Sequence, residues 1–292
     1  MRKYNEPLSR HTSFKIGGPA YCWIEPESPK AVLEAISFAE GKNKLLITAG
    51  KGANLLARDE GVDAVIVHLA KGFEKIEEEP GGAIKTGAGL SLAKLVKYAS
   101  DKALAGCEFL TGIPGNLGGA VFMNAGARSL EDALKFIEIK DIILDVEVID
   151  LKDKKIKILA GKNIDFKYRS SGLNGKIILG ARLKLKKDKK EKIRARIRAF
   201  NKKREWIATI GFPNAGSIFK NPEPGKSAGM LIESCGLKGK RIGKAEISKV
   251  HANVIVNTGK ATAKDVLGLI DLARASVKQK FGIDLELELK VI

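Results

Sequence analysis

The sequence predicts an α+β protein of more than one domain, on three observations. Several separated stretches carry apolar residues at helical spacing, while others alternate with a period of two or form short apolar blocks. Glycine clusters punctuate the passages between them. The chain has 292 residues, 44% of them hydrophobic, which is more than one small core requires and favours two domains.

Ser28-Pro29 sets an N-cap hydroxyl before a proline at the first helical position, and Val32, Ala35, Ile36 and Ala39 share a face of the helix that follows. LLIT (45–48) reads as a short buried strand running into the glycine loop AGKGANLL (49–56), and AVIVHL (64–69) as another strand. AIKTGAG (83–89) leads into a helix capped by Ser91, with Leu92, Leu95, Val96 and Ala99 inward. The glycine-rich stretch TGIPGNLGGAVFMNAGA (111–127) follows, then strands at 137–151 and 176–186. A basic helix near 189–206, with Ile193, Ile197 and Phe200 at helical spacing, marks the domain boundary. Thr262 and Asp265 form a variant capping box for a last helix whose buried face is Val266, Ile270, Ala273, Val277 and Phe281, and Gly282 can end it in the left-handed conformation. DLELELKVI (284–292) alternates strictly and reads as a strand, with its leucines and Val291 on one face and Glu286, Glu288 and Lys290 on the other. The expected division is a first region at 1–187, in lobes of about 1–70 and 71–187, a connector helix at 188–206 and a second domain at 207–292.

Composition narrows the function classes. Cys22, Cys107 and Cys235 are far apart, His11, His68 and His251 form no ligand spacing, and no metal site is expected. Sparse unpaired thiols fit a reducing cytoplasm. No apolar run reaches membrane-spanning length, and MRKYNEPLSRHTSF carries no apolar signal core. The net charge of +18 raises a polyanionic partner, yet 182–204 alone holds 13 Lys/Arg against Asp188 and Glu191. With one apolar stripe and few aromatics, that run reads as a solvated connector rather than a nucleic-acid face, and no nucleic-acid partner is expected.

The two glycine loops bring successive backbone N–H groups together, as anion-binding nests do. Neither is a Rossmann fingerprint, since Leu55 stands where the third glycine would. AGKGANLL alone fits an ordinary strand-to-helix turn. GIPGNLGG (112–119) packs four glycines and a proline into eight residues, a costly arrangement to order, and suggests a diphosphate-bearing cofactor or substrate.

Eight stretches then occur in order: HTSFKIGGPA (11–20), AGKGANLLARDEG (49–61), GIPGNLGGAVFMNAGA (112–127), YRSS (168–171), NAGSIFKNP (214–222), AGMLIESCGLKG (228–239), HANVIVN (251–257) and LELE (285–288). Together they resemble the UDP-N-acetylenolpyruvoylglucosamine reductase family over nearly the whole chain. The resemblance implies a two-lobed FAD-binding region of the vanillyl-alcohol oxidase and p-cresol methylhydroxylase type, followed by an α+β substrate domain. It implies FAD as cofactor, NADPH as hydride donor, a UDP-sugar substrate, and a cytoplasmic enzyme of peptidoglycan precursor synthesis; the sequence itself carries no sign of oligomeric state, and a monomer is the expectation.

The resemblance also implies roles. Gly50, Lys51, Gly52, Ala53, Asn54 and Leu55, with Gly112, Ile113, Pro114, Gly115, Asn116, Gly118 and Gly119, would hold FAD, and 12–18 would lie against the flavin. After hydride delivery from reduced FAD, Ser217 would donate the proton, while Arg169 and Glu288 would stabilise the enol intermediate. A fixed guanidinium fork suits a carboxylate gaining charge, and an alcohol can serve as acid beside a strongly basic carbon. Tyr168, Lys220, Asn221 and His251 would contact substrate. Taken alone, Ser217 reads as a turn hydroxyl, Arg169 as a salt-bridge arginine and Glu288 as a solvated charge. Asn116 replaces the Thr or Ser of many relatives, Arg128 replaces the Tyr of NAGAYG, and no tyrosine-bearing insertion occurs between Arg182 and Asn214. The chain thus resembles a shorter subtype, in which Arg241 and Lys244 are candidates for covering the UDP moiety. A flavin-dependent oxidase of the same fold and a basic nucleic-acid binder are the alternative readings.

Overall fold

The computed structural model describes residues 2–132, 135–222 and 226–292. In chain order, β1 (Arg2–Pro7) and β2 (Pro19–Ile24) precede helix α1 (Pro29–Gly41). The Ser28 hydroxyl accepts the Ala31 N–H at 3.2 Å, and all four inward residues of α1 are buried. Strand β3 (Leu45–Ala49) lies at the edge of its sheet and leaves Leu45 73% exposed, so it is not the buried strand its apolar run suggested. A short apolar block carries no periodicity that separates an edge from a centre.

Strands β4 (Leu55–Leu56), β5 (Val62–His68), β6 (Ile76–Glu78) and β7 (Ala83–Gly87) follow, then α2 (Leu92–Asp101) under its Ser91 cap. After β8 (Leu104–Ala105), α3 (Leu117–Phe122) forms inside the long glycine-rich stretch. Strands β9 (Gly126–Arg128), β10 (Phe136–Glu138), β11 (Ile143–Asp150), β12 (Lys155–Ala160), β13 (Lys176–Lys184) and β14 (Lys186–Lys187) lead to α4 (Lys190–Lys202). Ile193 and Phe200 of α4 are buried and Ile197 half-buried, as a one-stripe basic helix requires.

Helix α5 (Glu205–Ala208), β15 (Asn214–Ser217), α6 (Ala228–Ser234), β16 (Arg241–Ile242), β17 (Ala245–Ile247), β18 (Val254–Asn257), α7 (Ala263–Phe281) and β19 (Lys290–Val291) complete the chain. Both hydrogen bonds of the Thr262–Asp265 capping box form at 3.0 Å, and Gly282 closes α7 at φ 69°. Phe281, expected on the buried face, is 38% exposed at the last helical position. The terminal alternation holds in burial, with Leu285 and Leu289 inside, but only Lys290–Val291 join a ladder, parallel to β4. The rest of that run is extended chain that pairs singly, Leu287 with Phe219.

The chain folds into two compact units. One comprises 1–2, 23–50 and 65–204; the other comprises 3–22, 51–64 and 205–292. The first is built on an antiparallel sheet ordered β12-β11-β13-β7-β6, with Ile84, Val146, Val148 and Leu183 fully buried. The second is built on an antiparallel sheet ordered β15-β18-β17-β16. Its core joins Phe14, Ile16 and Leu56 to Ile218, Phe219, Ile247 and the inward residues of α7. Among the described residues, no helix is long and apolar enough to cross a membrane.

Candidate active site

In the first unit, the glycine stretch is threaded past the start of α2. Leu92 N–H donates to the Gly115 carbonyl at 3.1 Å, and Leu117 N–H to that of Leu90 at 2.8 Å. The glycines serve two different ends. A Cβ on Gly118 would lie 2.9 Å from the Ala88 methyl, so that glycine lets α3 approach its neighbour. A Cβ on Gly115, at φ 134°, or on Gly119 would meet nothing within 4 Å, so these leave open backbone. Gly50 is open too, apart from the Asn116 side chain 3.8–4.0 Å away. Thr111 and Asn116 are 8% and 5% exposed, and the Thr111 hydroxyl and Asn116 Oδ1 have no hydrogen-bond partner among the described residues. Buried polar groups are normally satisfied. Open glycine backbone beside two unsatisfied polar atoms fits a ligand rich in hydrogen-bonding groups, such as FAD.

Helix α4 fixes this stretch from below. Arg196 pairs with the buried Glu108 and with Asp188, at 2.8 and 2.6 Å, and Glu108 accepts the Gly106 N–H at 2.6 Å. Arg204, just past the helix, donates through Nη1 to the carbonyls of Phe109 and Thr111, the residues that lead into Gly112. Burial, then the nearby Arg169 charge, push the Arg204 pKa down, so an anion here would favour the charged form of Arg204. Arg169 stands in a tight turn closed by mutual hydrogen bonds between Lys167 and Ser170. Its φ of 56° is left-handed, a strained setting for a non-glycine residue and the kind that clusters at functional sites. The guanidinium lies 4.8 Å over the Tyr168 ring, Tyr168 meets Phe136 edge-on, and Arg128 stacks on Phe136 at 5.2 Å. Arg128, the departure from the family pattern, is thereby the outer member of an aromatic–arginine row.

In the second unit, Ser217 ends β15 just past a register shift between Asn214 and Ser217, a stretch in which Gly216 has a φ of 72°. The Ile218 carbonyl, one residue on, accepts N–H bonds from Glu288 at 2.8 Å and Leu289 at 3.2 Å. These bonds hold the residue after Ser217 against the run bearing Glu288. Asn54 belongs to the same construction: its side-chain amide donates to the Glu288 carbonyl at 3.0 Å. Gly52 is a packing glycine, since a Cβ there would sit 2.1 Å from the His11 carbonyl oxygen. The 51–56 part of the first glycine loop thus anchors the run bearing Glu288, while Lys51 is exposed.

The remaining expected contacts are partly engaged. Lys220 pairs with Glu286 at 2.5 Å, and Asn221 accepts the Ala228 N–H at 3.1 Å. His251 stacks on Trp206 at 4.5 Å and accepts the Asn253 N–H through Nδ1 at 3.2 Å, which leaves the ring proton on Nε2; burial holds its pKa below the ordinary histidine value. Arg241 pairs with Glu246, and Lys244 donates its N–H to Asp265 at 3.3 Å. Among the described residues, no three His, Cys, Asp or Glu gather as metal ligands would. An open surface depression against α1, lined by Arg2, Lys30, Leu33, Glu34, Ser37 and Phe38, includes no motif residue. Sequence reasoning missed Arg204 and Asn253. Arg204 is one of a long basic run, and Asn253 lies inside HANVIVN (251–257) without a signal of its own.

A family model described as "UDP-N-acetylenolpyruvoylglucosamine reductase, C-terminal domain" matches residues 208–292, and one described as "FAD binding domain" matches 20–159. UDP-N-acetylenolpyruvoylglucosamine reductase of Moorella thermoacetica is 43% identical over 288 residues, covering 98% of this chain and 92% of the relative. That of Bacillus subtilis is 39% identical over 291 residues, covering 99% and 93%. The crystal structure of the reductase from Thermus caldophilus matches with a TM-score of 0.83 at 37% identity, covering 100% of this chain and 98% of the other. These likenesses bear out the α+β class and the vanillyl-alcohol oxidase type of FAD-binding region. With relatives this similar along its whole length, the chain belongs to the UDP-N-acetylenolpyruvoylglucosamine reductase family.

Proposed function

We propose that this protein is an NADPH-dependent flavoenzyme that reduces UDP-N-acetylglucosamine enolpyruvate to UDP-N-acetylmuramate, acting as a cytoplasmic monomer. The observation that carries the reading is the Ile218 peptide, which ties the end of β15, where Ser217 stands, to the run bearing Glu288. Open backbone at Gly50, Gly115 and Gly119, with the Thr111 hydroxyl and the Asn116 amide, would hold FAD. FAD supplies, when bound, the hydride chemistry that links NADPH to the enolpyruvyl double bond.

The protein's own groups do the rest. Arg169 grips the substrate carboxylate with two parallel N–H donors and opposes the negative charge that grows there. Ser217 Oγ gives its proton to the carbon next to that carboxylate and regains one from solvent. Glu288 steadies the enol form of the same carboxylate, and its main chain keeps it in register with Ser217. Lys220 exchanges the exposed Glu286 for a substrate phosphate, while Tyr168, Asn221 and His251 complete the grip.

Two half-reactions test the reading. The purified protein should be yellow, and NADPH consumption should depend on the enolpyruvyl substrate. Ser217→Ala should reduce its flavin with NADPH at a near-normal rate and lose reoxidation by substrate by on the order of 10²-fold or more. Equal losses in both steps would remove Ser217 from the proton-donor role.

A further inference from the structure

We propose that Asn253 is a positioning residue for proton transfer, holding the segment immediately after Ser217 against the run that bears Glu288; this rests on the reading of Ser217 as proton donor. The ladder between β15 and β18 ends where Ser217 meets Val254. Beyond it the chain turns to meet residues 286–289, and a side chain takes over from the strand. Asn253 Oδ1 accepts the Phe219 N–H at 2.9 Å, and its Nδ2 donates to the Phe219 carbonyl at 2.8 Å. Its main-chain carbonyl accepts the Ile218 N–H at 2.9 Å.

From the other side, the Ile218 carbonyl takes the Glu288 and Leu289 N–H groups, and Lys220 N–H donates to the Glu286 carbonyl at 2.8 Å. Every main-chain polar group from the Ile218 N–H to the Lys220 N–H is thereby committed, three to Asn253 and two to the terminal run. The Ile218–Phe219 peptide, directly after Ser217, is clamped between them, which is what an alcohol asked to deliver a proton to one carbon requires, because small misplacements of a reacting group cost rate steeply.

The chemistry of the position is narrow. Asn253 is 4% exposed, so a substitute must present one donor and one acceptor side by side or bury the Phe219 N–H and C=O unsatisfied. Its own N–H is fixed on His251 Nδ1, and a Cβ on Gly229 of α6 would lie 3.6 Å from its Cβ. The titratable and charged groups around this segment are His251, the Lys220–Glu286 pair, Glu288, and Arg274, whose guanidinium lies 6.0 Å from the Phe219 ring.

Asn253→Asp tests the clamp by proton count. Protonated, the carboxyl keeps a donor and an acceptor in the amide's place; ionised, it still accepts the Phe219 N–H but sets a second acceptor against the Phe219 carbonyl. Burial raises a carboxyl pKa, so the variant should switch with pH. Against wild type at each pH, flavin reduction by NADPH should stay within about twofold, while reoxidation by the enolpyruvyl substrate should be at least about 10-fold slower near pH 8 and approach wild type near pH 6. Amide exchange at Phe219 should quicken over the same interval.

Should the variant not fold at pH 8, it is folded at pH 6 and jumped to pH 8 for a single turnover. Asn253→Gln keeps the amide but displaces it by one methylene, and should slow reoxidation equally at both pH values. Wild-type reoxidation in Asn253→Gln, or a pH-independent ratio in Asn253→Asp, would overturn the positioning role while slow reoxidation in Ser217→Ala left the donor standing. Unaltered reoxidation in Ser217→Ala would overturn both.

Discussion

Arg204 is the residue on which the first unit's site geometry turns. It donates to two main-chain carbonyls shortly before the open glycine backbone, and burial and the nearby Arg169 charge disfavour its own charged form. Arg204→Lys keeps the charge but its ammonium ends one atom short of Nη1, so it should hold one carbonyl at best. The expected outcome is about 1–3 kcal/mol of lost stability, the range for hydrogen bonds from a charged group to buried partners, read by thermal melts. FAD retention on dilution should weaken by on the order of tenfold, about 1.4 kcal/mol, because the segment entering Gly112 is no longer fixed. A variant that melts lower yet binds flavin normally would restrict Arg204 to a structural part. Nothing in the sequence singles this arginine out, nor Asn253. Both act on main-chain groups, which every residue possesses, so their partners leave no trace in the pattern. Ser217, Arg169 and Glu288 were legible only because side-chain chemistry recurs within recognisable motifs.

At the scale of elements, local signals were read well where the physics is local. The caps Ser28, Ser91 and Thr262 each accept the backbone N–H three residues on, and the inward faces of α1 and α2 are buried as their periodicity requires. Elements defined by partners were read less well: β3 proved an edge, and most of 284–292 pairs singly because β4 offers only two residues to it. Helix α3 was hidden among glycines altogether, and its two adjacent glycines now separate packing from binding. Gly118→Ala places a methyl 2.9 Å from Ala88, which must displace α3 or its neighbour and should cost about 1–3 kcal/mol, as overpacking does. Gly119→Ala meets nothing within 4 Å and should leave the apoprotein as stable as wild type, or up to about 1 kcal/mol more stable by helix propensity. It should nonetheless weaken FAD binding in a flavin titration, because the methyl occupies open backbone. If both variants lose stability alike and bind flavin alike, the division of labour between the two glycines is refuted.

The whole chain is assembled from segments distant in sequence, and that governs how it must fold. Residues 3–22 and 51–64 belong to the same compact unit as 205–292. Phe14 and Leu56 are fully buried and Ile16 nearly so, in a core shared with β15, β17, β18 and α7. The bonds follow the same plan. Asp59 accepts the N–H groups of Ala263 and Lys264, at 2.7 and 2.9 Å, Asn257 donates to the Phe14 carbonyl at 3.0 Å, and β4 supplies the partner of β19. No turn signal or composition shift records such an arrangement, since the sequence shows neighbours along the chain and this core is made of non-neighbours. A boundary drawn along the sequence isolates 207–292, but neither that fragment nor 205–292 holds the whole interior of its unit. Deleting one large buried side chain costs about 2–5 kcal/mol, so losing Phe14, Ile16 and Leu56 together removes an amount comparable with the whole stability of a domain, about 5–15 kcal/mol. The loss of the Asp59 acceptors at the start of α7 and of the β4 partner adds to it. Residues 205–292 expressed alone should therefore give a collapsed amide proton spectrum and melt without a cooperative transition. A chain that joins 3–22, 51–64 and 205–292 through short flexible linkers should restore dispersion and a sharp melt. A well-dispersed, cooperatively melting 205–292 fragment would show that its own core suffices and that the N-terminal segments only decorate it.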